Sequence, residues 1–272
     1  MARKKSLDVV VAASVELDSE IRLVSALARG VSVLRCFSPT RQELSAREIM
    51  GLTGLSKPTL FRLLETLCEL GLLRYSQRIS KYVAGLGLLN LAAPTLARMT
   101  VRQLARPLMQ ELANHIDGQV QLAVGHQDNL TFVELVQGIE SKVFRPEIGV
   151  RLSLPRTASG RAYLLAIPEP ERLQYLAALE ARDQTRKVWL MDRLADAQRD
   201  LDHHGFCRGH GDLHREIASI ATPMRPLRDA ECWIFSAAVP GFSPQSKRLV
   251  EDVGPRLITL VRNIEASLGG AS

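Results

Sequence analysis

No run of this sequence approaches the roughly 20 consecutive apolar residues that a membrane-spanning helix needs, so no membrane association is expected. Its four cysteines, Cys36, Cys68, Cys207 and Cys232, are widely spaced and include no CxxC pair. That excludes a disulfide framework and a four-cysteine zinc site, and it points to reduced thiols in a cytoplasm. There is no HExxH, no P-loop, no GxGxxG and no G-x-S-x-G elbow, which removes the common zinc-protease, nucleotide-binding and hydrolase readings. Internal repeats and low-complexity segments are also missing. A Ser-His-Asp set of Ser159, His210 and Asp212 can be assembled on paper, as in any chain of this length, and no enzymatic activity is expected from it. His203, His204, His210 and His214 crowd around Asp212, and His210 and His214 have an i, i+4 spacing. Gly209 and Gly211 argue against a helix there, so a polar or effector-contacting loop is expected, with no metal and no cofactor.

What the chain does have is concentrated in residues 45–71. Ser45 followed by Glu48 is a capping box, which starts a first helix. Gly54 tolerates positive φ, and Ser56 then offers a second N-cap ahead of Lys57, Pro58 and Thr59, with Pro58 forcing the cap through Thr59. Leu60, Leu63, Leu64, Leu67 and Leu70 form one apolar stripe of helical period up to Gly71. The opposite face holds Lys57, Thr59, Phe61, Arg62 and Thr66, groups that can touch phosphates or base edges. Upstream, Val24, Leu27, Val31 and Leu34 mark another amphipathic helix. Downstream, two strand-like pieces flank a polar turn that carries Arg74, Arg78 and Lys81, a wing suited to phosphates. The pattern is a winged helix-turn-helix for double-stranded DNA.

Charge agrees with this placement. Residues 21–90 hold ten Lys and Arg against four acids, which equals the formal +6 of the whole 272-residue chain and leaves the remainder near neutral. The basic tip Arg3, Lys4 and Lys5 is followed by a short apolar run at 9–15 and then by Glu16, Asp18 and Glu20. This is unlike a secretory signal. Residues 1–20 are expected to be a flexible arm that adds nonspecific DNA contacts.

The remainder reads as a second domain. Residues 86–111 have helical character broken by Pro94 and Pro107, a linker whose apolar content exceeds what a solvated connector needs. Val120, Leu122 and Val124, then Phe132, Val133, Leu135 and Val136, are strands of a hairpin turning at 127–129. Strand-like pieces at 141–146 and 151–155 lead to residues 157–160, a small-residue loop opening a helix whose free amides suit a carboxylate. Helices at 169–180 and 192–204, strands at 217–222 and 233–239 and a long helix at 244–268 complete an antiparallel α+β domain.

ALARGVSVLRCF at 26–37, LSKPTLFRLLETLCELGLL at 55–73, TASGRAYLLAIP at 157–168, GFCRGHGDLHREIASIATP at 205–223 and the VP step at 239–240 together resemble the IclR family of bacterial transcriptional regulators, over about residues 22–268. The resemblance implies a winged helix-turn-helix at 21–86, a linker helix at 87–106 and a profilin-like or GAF-like effector domain at 107–272. It also implies homodimers or homotetramers on palindromic operators. DNA contacts are expected from Ser45, Ser56, Lys57, Thr59, Phe61, Arg62, Arg74, Arg78 and Lys81. By the same analogy an organic-acid effector lies between the loop at Thr157 and the sheet. Ala158, Ser159 and Gly160 would offer amides, Asp212 an acidic contact, and Ser219 and Ser236 polar walls. Ala238 stands where some relatives have a second serine, and Arg156 adds a cation they lack. The wording around 205–217 is similar to the branch controlling breakdown of protocatechuate, hydroxybenzoate and related aromatic acids.

Overall fold

A computed structural model describes residues 23–126, 128–141, 146–209, 211–224 and 231–269. The arm 1–20, residues 142–145 and His210 lie outside the described residues. The chain divides into two compact units, residues 1–95 and 96–272.

The first unit runs α1 Ser25–Leu34, β1 Glu43–Leu44, α2 Ala46–Thr53, α3 Lys57–Glu69, β2 Leu73–Ser76, β3 Lys81–Ala84 and α4 Leu86–Ala97. The capping box forms: the amide of Glu48 donates to Ser45 Oγ at 3.3 Å, and Glu48 Oε2 accepts from the amide of Ser45 at 2.7 Å. α2 ends at Gly54, whose φ of +67° suits a residue without Cβ and turns the chain into α3. Ser56 stands at the N-cap of α3, but it does not cap through the Thr59 amide. Its Oγ lies 3.0 Å from Thr59 Oγ1, so the two hydroxyls satisfy each other. Leu60, Leu64 and Leu67 are buried with Val33, Ile49 and Leu73, while Leu70 at the end of the expected stripe is exposed. β2 and β3 form the wing hairpin, and β1 pairs with β3 as a third antiparallel strand. Two residues are too few to show a period, so β1 could not be read from sequence.

The expected apolar stripe of α1 is exposed over its N-terminal part, and only Leu34 at its end packs against the core. Val24 and Leu27 are 69% and 68% exposed, and it is Gly30 and Val33 that are buried. Both rows are apolar, so periodicity alone does not choose between them. Pro94 does not break α4 either. The helix runs through it to Ala97, and none of its residues is buried.

The second unit begins with α5 Thr100–Ile116, which contains Pro107. The helical stretch is therefore interrupted at 98–99 and at neither proline. β4 Gln119–His126, β5 Asn129–Gln137, α6 Ala158–Ala166, α7 Glu169–Arg182, α8 Gln184–His204, β6 Cys207–Arg208, β7 Ile217–Pro223 and β8 Cys232–Pro240 follow. After β8 come α9 Pro244–Lys247, a π-helical turn Leu249–Val253 and α10 Gly254–Gly269, so the single long C-terminal helix expected is in three pieces. The piece at 151–155 is not a strand; only Arg151 bridges to Thr131. α8 starts earlier than expected because the Asp183 carboxylate caps the Arg186 amide at 3.0 Å.

The strands form one antiparallel sheet in the order β5-β4-β8-β7-β6. Val120, Leu122, Ile220 and Phe235 face a core shared with Met109 and Ile116 of α5 and Leu257 and Val261 of α10. Ala123, Phe132, Ala221 and Ile234 face the opposite core, with Ala162 and Tyr163 of α6 and Leu190 and Leu194 of α8. With both faces covered, the central strands are apolar on both sides, and any polar residue within them stands out.

Candidate functional site

In the first unit, α3 turns Lys57, Phe61 and Arg62 to solvent, with Lys57 Nζ 5.9 Å from the centre of the Phe61 ring. Arg74 and Arg78 of the wing are exposed and Lys81 is half-buried. Among the described residues none of these five cations lies within ion-pair distance of a carboxylate. Ser45 and Thr59 are differently placed. The Ser45 hydroxyl donates to Glu48 Oε2 at 2.7 Å, and Thr59 is engaged with Ser56, so both are positioned by their own helix starts. The amide and hydroxyl of Ser45 hold the Glu48 carboxyl below the usual carboxylate range.

In the second unit, Thr157 caps α6. Its Oγ1 accepts from the Gly160 amide at 2.9 Å and its hydroxyl donates to the Ser153 carbonyl at 2.8 Å. The Gly160 amide is therefore taken by the cap and is not free for a carboxylate. Gly160 itself serves packing: a Cβ there would lie 2.4 Å from Leu154 Cα. Ala158 and Ser159 are buried in the same turn.

Next in the helix stands Arg161, fully buried, which the sequence reading passed over. Its Nη1 donates to the Pro155 carbonyl at 3.1 Å and to Asp212 Oδ2 at 3.0 Å, and its Nη2 donates to the Arg208 carbonyl at 3.2 Å. Burial lowers the Arg161 pKa, while the Asp212 carboxylate opposes that shift. Arg193 of α8 holds Asp212 Oδ1 at 2.9 Å. Asp212 is thus neutralised by two arginines and is not the open acidic contact the resemblance implied. Arg156 is also turned to Asp212, donating from Nε and Nη2 to its backbone carbonyl at 3.0 and 2.9 Å.

Strand register places the remaining residues. Gln119 pairs with Ala238 and Gln121 with Ser236, while Ser219 pairs with Ala238 and Ala221 with Ser236. Alternation puts Gln119, Gln121, Ser219, Ser236 and Ala238 on the face that Ala123, Ala221 and Ile234 turn to α6. Ser236 Oγ donates to Gln121 Oε1 at 2.9 Å, and Gln121 Nε2 donates to Gln119 Oε1 at 3.0 Å. Arg161 reaches Arg208 beside β7, and a Cβ on Gly125 would strike the Tyr163 ring, so α6 runs from the polar end of this face toward Gly125. Its N-terminus lies at the polar end. Gln119 and Gln121 were not expected, yet the alternation of β4 carries the signal: once Val120, Leu122 and Val124 take one face, the glutamines must share the other.

The histidines disperse. His203 and His204 close α8, the His204 ring stacks on Phe206 with centroids 5.6 Å apart, and His214 Nδ1 is 3.5 Å from Glu216. Among the described residues no group of three His, Cys, Asp or Glu is arranged to hold a metal ion, and no helix is long and apolar enough to cross a membrane.

Comparison with known proteins bears on both units. Residues 26–77 match the IclR helix-turn-helix domain, and residues 93–264 match the bacterial transcriptional regulator IclR C-terminal domain. The chain is 28% identical over 258 residues to the HTH-type transcriptional regulator TsaQ1/TsaQ2 of Comamonas testosteroni, covering 93% of this chain and 92% of that one. An IclR family regulator from Brucella abortus is similar in structure, with a TM-score of 0.78 and 36% identity over 90% of this chain and 93% of that chain. An IclR homolog from Microbacterium hydrocarbonoxydans complexed with 4-hydroxybenzoate shares the fold, with a TM-score of 0.67 and 23% identity over 88% and 99% of the two chains. The first two of these relatives are transcriptional regulators. With both its DNA-binding and its effector domain matched, the chain belongs to the IclR family of DNA-binding transcriptional regulators.

Proposed function

We propose that a small aromatic carboxylate, seated between the sheet and the N-terminus of α6, sets the hold of this regulator on a palindromic operator. The observation that carries this reading is the polar row Gln119, Gln121, Ser219 and Ser236 on a sheet face that also carries the apolar Ala123, Ala221 and Ile234. Polar groups inside a core are kept where they have partners to satisfy, and a few convergent ones among apolar walls are the usual make-up of a small-molecule site. The positive end of α6, at Ala158 and Ser159, favours a carboxylate. The hydroxyls and amides of the sheet suit substituents on a ring. The 4-hydroxybenzoate complex of the Microbacterium relative agrees with this ligand class.

In this reading Lys57, Phe61 and Arg62 enter the major groove, and Arg74, Arg78 and Lys81 grip the flanking phosphates. Residues 21–86 form the DNA-binding domain, 87–106 the linker and 107–272 the effector domain. A second copy covers the leucines of α4, of which Leu86, Leu89 and Leu91 are 81%, 63% and 67% exposed, and so pairs two recognition helices in a cytoplasmic homodimer. The acid acts by binding two arrangements of that dimer unequally.

The test is calorimetry with 4-hydroxybenzoate, protocatechuate and benzoate on wild type, Ser236→Ala and Gln121→Ala, run beside operator gel shifts. One of the acids should bind, weaken about tenfold in each variant and change operator affinity. Binding that ignores both substitutions removes the sheet pocket from the reading. Asp212→Ala is a poor probe, because it would strand Arg161.

A further inference from the structure

On the far side of the Arg161–Asp212 pair lies a cavity of about 760 Å³ that shares no residue with the polar row on the sheet. Its walls carry four arginines, Arg156, Arg186, Arg193 and Arg215, with Trp189, against only Asp183 and Asp212. The two aspartates neutralise only part of the set. The Asp212 carboxylate is divided between Arg161 and Arg193, and Asp183 is occupied in capping α8 through the Arg186 amide. Among the described residues the Arg215 guanidinium has no hydrogen-bond or carboxylate partner. Arg186 reaches Asp183 only at 3.8 Å. Arg193, stacked 5.6 Å from the centre of the Trp189 ring, keeps a buried Nε–H with no hydrogen-bond partner. A buried donor left in this way costs free energy unless something outside the chain accepts from it.

Four guanidinium groups converging on one cleft with two excess positive charges match a ligand with two negative charges. Planar forks of N–H donors recognise carboxylate and phosphate oxygens in pairs. We infer that this cleft is a second ligand site, separate from the sheet pocket, that binds a small dianion, either a dicarboxylate or a phosphate. Its position couples it to the domain interior. A dianion that engages Arg193 draws on the cation that shares Asp212 with Arg161, and Arg161 is anchored in α6 beside the sheet pocket. The two sites are therefore linked through the Arg161–Asp212 pair, and occupancy of one alters the other.

The experiment does not depend on the sheet pocket. Calorimetry and thermal unfolding of the full chain are run with succinate and with inorganic phosphate at constant ionic strength, with chloride as the control. Wild type, Arg186→Ala, Arg215→Ala, the double arginine variant and Ser236→Ala are compared, and both arginines are exposed enough that folding is retained. At least one dianion should bind and raise Tm where chloride does not, and affinity should fall about tenfold per arginine removed. Succinate alone, phosphate alone, or both binding in this way tells the sources apart. The inference is overturned if neither dianion exceeds chloride, or if binding survives in the double variant. It is equally overturned if succinate binding is lost in Ser236→Ala and kept in the double variant, which would put the dianion in the sheet pocket. An aromatic acid that fails to bind wild type counts against the sheet pocket only.

Discussion

The two units of the chain treat their cations in opposite ways. Among the described residues, no Lys or Arg of the first unit has a carboxylate within ion-pair distance, whereas the second ties Arg102 and Arg106 to Glu134, Arg161 and Arg193 to Asp212, Arg208 to Asp200 and Arg256 to Asp252. The formal charges differ accordingly, with the +6 held in residues 21–90 and the remainder near neutral. Cations without protein partners keep their full attraction for a polyanion and release its counterions on binding. Paired arginines instead hold a fold together, and the cleft around Arg215 is one place where the second unit leaves a cation without a carboxylate partner.

The comparison can be broken first at its most buried pair. Asp212→Ala should leave Arg161 as an uncompensated buried charge and cost about 3–5 kcal/mol in urea unfolding. A loss below about 1 kcal/mol would mean that water reaches Arg161 and that the pair is not structural. In the first unit the same kind of change should spare the fold and reduce binding. Arg62→Ala is expected to cost about 1–3 kcal/mol on operator DNA, and Lys57→Ala to weaken all sequences alike and lower the salt slope by about one, both measured by titration across salt concentrations. Unchanged operator affinity in both variants would show that α3 is not the reading helix. Ser45→Ala should cost about 1 kcal/mol of first-unit stability through the lost cap.

Acid acts on the same cap. The folded pKa of Glu48 is depressed, so its contribution is fully present above the ordinary carboxylate value of about 4.3 and fades as pH falls through the folded value. Glu48→Gln should flatten stability against pH in that window, and an unchanged pH slope would mean that the box does not persist in solution. The smallest effect is expected from Arg98→Ala, whose exposed pair with Glu231 should be worth less than about 0.5 kcal/mol by thermal unfolding.

The first unit was legible to nearly the resolution of its hydrogen bonds, because its signals are local. A capping box spans four residues, the α3 stripe repeats every turn, and Gly54 marks the bend between the helices. Where two local answers existed, as with the two apolar rows of α1, the pattern offered no choice. Prolines misled for a related reason. Pro94 and Pro107 each remove one helical hydrogen bond, and packing outweighed that loss for α5, which lies on the sheet through Ala105, Met109 and Leu112. For α4, none of whose residues is fully buried, only Leu96 packs partly against a core, and the helix continues through Pro94.

The second unit was legible as strands and helices but not as a site. The order of hairpin, capped helix and returning strands follows from alternation and from turn residues, and with it the antiparallel class. That Asp212 would be taken by Arg161 and Arg193 could not be read, because these residues lie on α6, α8 and a loop and meet only after the sheet has closed beneath them. Residue type and spacing act over a few bonds and so determine caps, periods and the placement of charge along the chain. Which arginine is neutralised and which remains open is a matter of distances of a few ångströms between segments far apart in sequence, and only the packed core sets those.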